Sequence, residues 1–207
     1  MSNNVKNVLS IAGSDPSGGA GIQADLKTFA ANGVYGMAAI TALTVQNTVG
    51  VQGIHLVPAK FVSSQIEAIF SDIAVSSVKV GMVGNAEIAE GVGTTLAKYR
   101  NLISVVDPVM VAKGGAKLID DKAIQLLKLK LIKKVLLVTP NIPEAEILTK
   151  IKILNKEDMF YAANKLLELG AKNVLLKGGH LINKNVNDIF VNEKDTKFFN
   201  SKRYKTK

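Results

Sequence analysis

Six short apolar runs in this 207-residue sequence are each followed directly by glycine, polar or charged residues. Gly13 to Gly21 follows the first, with Asp25 four residues on, and Gln46-Asn47-Thr48 follows the second. Gly81-Met82-Val83-Gly84 comes next, then Asp107-Pro108-Val109-Met110 with Lys113-Gly114-Gly115 behind it. Thr139-Pro140-Asn141-Ile142-Pro143-Glu144 and Lys177-Gly178-Gly179-His180 complete the set. In an open α/β sheet, ligands bind beyond the carboxyl ends of the strands, so residues at those ends share one rim. Asp107, Asn141 and Glu144 suit a hard cation such as Mg²⁺, which holds phosphate oxygens directly or through water. Lys177, followed by two glycines, would let a phosphate come close to the backbone. Taken singly, Glu144 could serve only the dipole of a helix start and Lys177 could be a solvated edge lysine. Together they resemble the parts of a phosphoryl-transfer site, where metal and cations neutralise the moving group.

Two nucleotide motifs compete for the glycine-rich segment, and neither fits. No Gly-Lys-Ser/Thr follows Gly18, so it is not a Walker A loop. Gly19-x-Gly21-x-x-Ala24 matches the dinucleotide fingerprint formally, but six residues separate it from the strand. Thr41 to Gln46 also lacks the acidic residue expected at the end of the second strand. The remaining reading is a tight loop whose backbone N–H groups and helix start receive a small polar ligand.

The elements that must hold these residues are legible from apolar periodicity. Strands are expected at Val8 to Ala12, Met37 to Val45, Val75 to Val80, Leu102 to Val106, Val135 to Val138, Val174 to Leu176 and Val186 to Val191. Helical spacing covers Gly19 to Asn32, Pro58 to Ser71, Ala86 to Tyr99, Asp120 to Lys133 and Asn155 to Leu169. The last helix opens with a capping Asn155 and acidic residues in its first turn. Short buried strands alternating with such helices predict an α/β fold, with a mostly parallel central sheet covered by helices on both faces. No repeat, low-complexity block or linker divides the chain, so residues 1–207 read as a single domain.

Composition narrows the function classes. Apolar residues make up 47% and charged residues 21%, which excludes a disordered chain. With no cysteine there is no disulfide, thiolate metal site or thiol nucleophile, which fits a reducing compartment. No stretch reads as a signal peptide or a membrane span, and the expectation is a cytoplasmic protein with no membrane partner. The net charge of +9 arises after residue 100, and only Arg100 and Arg203 among the basic residues are arginine. Aromatic residues are 5% and do not alternate with basic ones, so the excess reads as a lysine-rich solvated surface rather than a nucleic-acid face.

The run Ile11 to Asp25 resembles the signature of hydroxymethylpyrimidine/phosphomethylpyrimidine kinases, thiamine-biosynthesis enzymes of the ribokinase-like superfamily. Thr41 to Thr48, Lys79 to Met82, Asp107 to Met110, Thr139 to Ala145 and Lys177 to His180 match further blocks of that family. The likeness extends from about Val8 to His180. Pyridoxal kinase, a relative, shares the architecture and the Thr-x-Asn-x-x-Glu element but lacks the glycine block in this form.

The resemblance implies ATP-dependent phosphorylation of 4-amino-5-hydroxymethyl-2-methylpyrimidine and then of its monophosphate, with Mg²⁺ as cofactor and ATP as co-substrate. Carried over by motif, Gln46 would hydrogen-bond the aminopyrimidine edge, since an amide both donates and accepts. Gly13, Ala20, Asp25, Met82 and Val109 would line the same pocket. Asp107 and Glu144 would serve Mg²⁺, and Asn141 and Lys177 the ATP phosphates. Homodimerisation is also implied.

One family block has no counterpart in this sequence. After Lys177-Gly178-Gly179-His180 the family continues through a β segment into Asn-Thr-His-Gly-Thr-Gly-Cys-Thr, whose backbone amides form the anion hole and whose cysteine stands where related kinases carry a catalytic base aspartate. Here Thr196 to Lys207 supplies only the β segment, so the expectation is a ribokinase-like domain whose C-terminal helices are missing. Three readings follow: a kinase with little intrinsic turnover, a non-catalytic pyrimidine or partner binder, or a pyridoxal-type kinase completed by a separate fragment.

Overall fold

Leu9 and Ile11 are fully buried, and the apolar run around them forms the strand β1 (Asn7–Ala12). In the computed structural model this strand lies inside a parallel sheet with β2 (Tyr35–Ile40) on one side and β5 (Val75–Val80) on the other; β6 (Ile103–Val106) pairs with β5. The structure describes residues 5–99, 101–110, 119–133, 135–181 and 185–204, so Lys113-Gly114-Gly115 lies outside the described residues. The chain forms two units, Met1–Leu131 and Ile132–Lys207.

In the first unit the helices α1 (Gly21–Ala31), α2 (Ala59–Asp72) and α3 (Ala86–Leu96) accompany the parallel strands. Gly36 on β2 lets α1 settle closely, because a Cβ there would stand 3.0 Å from both Leu26 and Phe29. Val62 and Ile66, four residues apart, form the buried stripe of α2. Asn85 begins α3 by accepting the Ile88 N–H at 2.8 Å. The helix expected over Asp120 to Lys133 is α4 (Asp121–Leu126), which widens into a π-helix at Leu127–Ile132. Gly93 faces this wide turn, where a Cβ would lie 2.5 Å from Cβ of Lys130.

The run Met37 to Val45 is two strands rather than one. β2 ends at Ile40, and β3 (Ala42–Gln46) pairs antiparallel with β4 (Val51–Leu56) in a separate two-stranded sheet. Thr41 is the pivot. It is fully buried, its N–H donates to Ala12 O, its carbonyl accepts from Val57, and its hydroxyl donates to Met82 O at 2.7 Å. The Gln65 amide of α2 bonds both N–H and C=O of Ile40, so the backbone leaves the sheet with its polar groups satisfied. Apolar and β-branched residues continue on both sides of the pivot, which is why period alone does not mark it.

The second unit pairs β7 (Leu137–Val138) parallel with β8 (Asn173–Leu176), and β8 antiparallel with β9 (Asn185–Asn192). β9 continues antiparallel to β10 (Thr196–Lys202). Helices α5 (Ile142–Thr149) and α6 (Lys156–Glu168) belong to it. The Asn155 cap is formed as expected, its side chain accepting the Asp158 N–H at 2.9 Å, and Met159, Ala162, Ala163 and Leu166 give α6 its buried stripe.

Candidate functional site

The glycine-rich segment folds around its own carboxylate. Asp15 is 3% exposed and accepts the N–H groups of Ser17, Gly19 and Ala20 at 2.9, 3.1 and 2.8 Å, with the Ser17 hydroxyl at 2.7 Å. Burial pushes the Asp15 carboxyl up, but these four donors more than offset it and hold it below its ordinary 3.8. Gln23, one turn into α1, accepts the Asp15 N–H and donates to the Ser14 hydroxyl, both at 2.8 Å. Gly21 has φ of +57°, and a Cβ on it would stand 2.3 Å from Gly13 O. The loop therefore differs from the expected one, which offers its backbone N–H groups to a small polar ligand. Most of its N–H groups are already engaged internally, because a carboxylate two residues after Gly13 is close enough to collect them first.

This loop is one wall of a cavity of about 470 Å³ in the first unit. Gly13, Ala20, Asp25, Gln46, Met82, Val109 and Asp107 all line it, although they come from four separate stretches of chain. Gln46 sits at the end of β3, with its Oε1 3.3 Å from the Thr44 hydroxyl oxygen. That hydroxyl also lies 2.7 Å from Ser14 O, which ties the hairpin to the glycine loop. Met82 follows β5, and its methyl fills the space that the missing side chain of Gly13 leaves, 2.6 Å from where a Cβ would be. Asp107 follows β6, with its N–H donated to Val80 O at 2.9 Å.

Asp25, on the sheet-facing side of α1, is held from two strands. Ser10 on β1 donates its hydroxyl to Oδ2 at 2.6 Å, and Lys79 on β5 places Nζ 2.9 Å from the same oxygen. Ser10 and Lys79 are register partners, so their side chains leave the sheet on one face, side by side.

In the second unit, Asn141 and Glu144 form a reciprocal capping box at the start of α5. Asn141 Oδ1 accepts the Glu144 N–H at 3.0 Å, and Glu144 Oε2 accepts the Asn141 N–H at 2.8 Å. Glu144 is 3% exposed. Lys177 bridges Asn141 in parallel, its N–H bonded to Pro140 O at 2.8 Å, so these three residues are brought together. Gly178 is required beside them, since a Cβ would stand 1.9 Å from Asn187 O. His180 is exposed. Among the described residues no three His, Cys, Asp or Glu side chains converge on a point that could hold a metal, and no helix is long and apolar enough to cross a membrane.

Residue reading passes over Ser10, Lys79 and Gln23 as site residues. Ser10 looks like an interruption in an apolar strand, and Lys79 like an edge lysine. The available signal is that both stand between apolar residues within a strand, Ser10 between Leu9 and Ile11 and Lys79 between Val78 and Val80, where a polar side chain needs a partner.

Comparison with known proteins bears on the whole arrangement. The family model described as phosphomethylpyrimidine kinase matches residues 15–207. The chain is 58% identical over 175 residues to the thiamine biosynthesis bifunctional protein ThiED of Geobacter sulfurreducens; the match covers 84% of this chain and 36% of that protein. The crystal structure of phosphomethylpyrimidine kinase from Clostridium difficile superposes with a TM-score of 0.88 at 48% identity, covering 95% of this chain and 84% of that one. The pyridoxal kinase of Staphylococcus aureus in complex with ADP gives a TM-score of 0.88 at 33% identity, covering 98% of this chain and 74% of that one. These likenesses show the ribokinase-like α/β fold, a mixed, mostly parallel sheet flanked by helices.

Proposed function

The chain belongs to the phosphomethylpyrimidine kinase family, and from that premise we propose that it serves the ATP-dependent phosphorylation of 4-amino-5-hydroxymethyl-2-methylpyrimidine and its monophosphate. The observation that carries this reading is the cavity of about 470 Å³, where Gly13, Ala20, Asp25, Gln46, Met82 and Val109 meet. Its size and mix of apolar walls with a few polar groups suit one small heteroaromatic ring. Gln46 offers both a donor and an acceptor to a ring nitrogen beside an exocyclic amine. Met82 is a soft wall for a flat ring.

The donor set also fits Mg²⁺ arriving with a nucleotide. Such an ion is held by one or two carboxylates, water and the phosphates themselves, and Asp107 supplies a carboxylate at the cavity. When bound, the ion would supply charge neutralisation on the phosphates. In the second unit Glu144 accepts the Asn141 N–H, so the part we assign to it lies in the placement of Asn141. Asn141 and Lys177 are the groups we assign to the ATP phosphates.

Pyridoxal is the second substrate to test, because the pyridoxal kinase of Staphylococcus aureus superposes as well as the phosphomethylpyrimidine kinase structure does. The experiment incubates the 207-residue chain with ATP and Mg²⁺ and either the hydroxymethylpyrimidine, its monophosphate or pyridoxal. Products are read by mass, and binding is measured in parallel. Phosphorylated pyrimidine well above a Gln46→Ala control supports the full reading. Pyrimidine binding without product reduces it to a recognition site, and preferential turnover of pyridoxal overturns the substrate assignment.

A further inference from the structure

Resting on that pyrimidine reading, we propose that Lys79, together with Ser10, is a positioning residue that aims the Asp25 carboxylate as a fixed hydrogen-bond acceptor, so that the pocket selects an amino-bearing ring over its oxo counterpart. Both known contacts of Asp25 fall on one oxygen. Ser10 Oγ is 2.6 Å and Lys79 Nζ 2.9 Å from Oδ2, while Oδ1 has no partner among the described residues. Two anchors on one oxygen, from neighbouring strands in register, stop the carboxylate from turning about its bond to Cβ.

The anchoring has a visible cost in the sheet. Lys79 reaches Asp25 past Gly81, where a Cβ would stand 2.8 Å from Nζ and 3.0 Å from Ala12 Cβ. A part-buried ion pair adds little net stability over apolar packing of similar volume. Helix α1 and the sheet could meet through apolar side chains at this point, as they do at Gly36. What sets the trio apart is that Asp25 and Lys79 both line the cavity. An acceptor held there with a spare oxygen bonds an exocyclic N–H and opposes a ring carbonyl, whose oxygen would face it without a proton between them. Sites built to bond one such group reject analogues that leave it unmatched.

The test measures binding of 4-amino-5-hydroxymethyl-2-methylpyrimidine and of its 4-oxo analogue to the 207-residue chain by calorimetry. Wild type is expected to prefer the amino ring by about 100-fold. Lys79→Met should lower that ratio by about tenfold, and Lys79→Arg should restore most of it, since charge-assisted contacts of this kind fix geometry as well as energy. In an Asp25→Asn background, Lys79→Met should change the ratio by less than about twofold, because its effect runs through Asp25. A Lys79→Met chain that weakens both rings equally, or keeps the wild-type ratio, overturns the proposal and leaves the pocket reading standing. Wild type that binds neither ring overturns the pocket reading and this inference with it. If Lys79→Met does not fold, Ser10→Ala, which removes the other anchor, carries the test with an expected loss of about threefold in the ratio; an unchanged ratio there overturns the proposal.

Discussion

The cavity of the first unit and the α5 start of the second are both rich in polar side chains, but they are held together differently. Around the cavity the partners are far apart in sequence. Asp25 and Lys79 are separated by 54 positions, and Thr44 and Ser14 by 30. At α5 the contacts are local, with Asn141 and Glu144 three residues apart and closing on each other. The first arrangement exists only when the sheet is formed; the second is a helix-start motif that carries its own instructions. Damage to the side chains that face a ligand in the cavity should therefore register first in ligand binding, damage to the loop that walls it in both stability and binding, and damage at α5 in stability alone.

The glycine that closes the first loop offers the strongest way to break this comparison. Gly21→Ala combines a positive φ with a Cβ 2.3 Å from a backbone carbonyl, so we expect a loss of about 3 kcal/mol or more in unfolding free energy. Pyrimidine binding should go with it. Denaturant titration beside calorimetry checks both; a stable, ligand-competent variant would show that the loop can refold another way.

Asp15 comes next. In Asp15→Asn the amide can accept on one side only and turns a donor toward N–H groups it formerly bonded, with an expected cost of about 1–3 kcal/mol. The wild-type carboxyl sits below its ordinary 3.8 in the folded chain. Its contribution to stability is thus fully present above that pH and is lost as the pH falls from 3.8 through the folded value. Unfolding midpoints followed downward through this range should fall more steeply for wild type than for Asp15→Asn, and parallel curves would remove Asp15 from the account.

Gln46→Ala sharpens the contrast from the ligand side. Loss of one two-way amide should weaken pyrimidine binding by about 10- to 100-fold, with the thermal midpoint moved little because the side chain's contact with the Thr44 hydroxyl is a long 3.3 Å. Unchanged affinity would take Gln46 out of the recognition edge.

Asn141→Ala should have the smallest effect, about 1 kcal/mol of stability through loss of the helix cap, with pyrimidine affinity untouched. A drop in pyrimidine affinity in that variant would mean that the two regions do not respond separately.

Much of this was legible in the residues. The strands β1 and β5, the cap at Asn155, and the clusters that follow the strands all rest on local rules: apolar period, turn residues and side chains within one helical turn of their partners. The family blocks Ile11 to Asp25 and Thr139 to Ala145 are legible for the same reason, being continuous in sequence. The break at Thr41 was not, because the apolar character on both sides is the same and the bonds that release the strand come from Gln65 and Met82. Nor was the fate of the glycine loop's N–H groups, which a sequence leaves equally available to a ligand or to Asp15.

By itself, then, the sequence determined the class of fold, the positions where polar chemistry could collect and the family to which those positions belong. Tertiary structure alone decided which of those groups meet. Ser10 and Lys79 become neighbours only because parallel pairing of β1 with β5 sets them in register, and α1 then lays Asp25 across both. Hydrogen bonds within a turn follow from spacing along the chain, whereas contacts between strands depend on how the sheet is ordered.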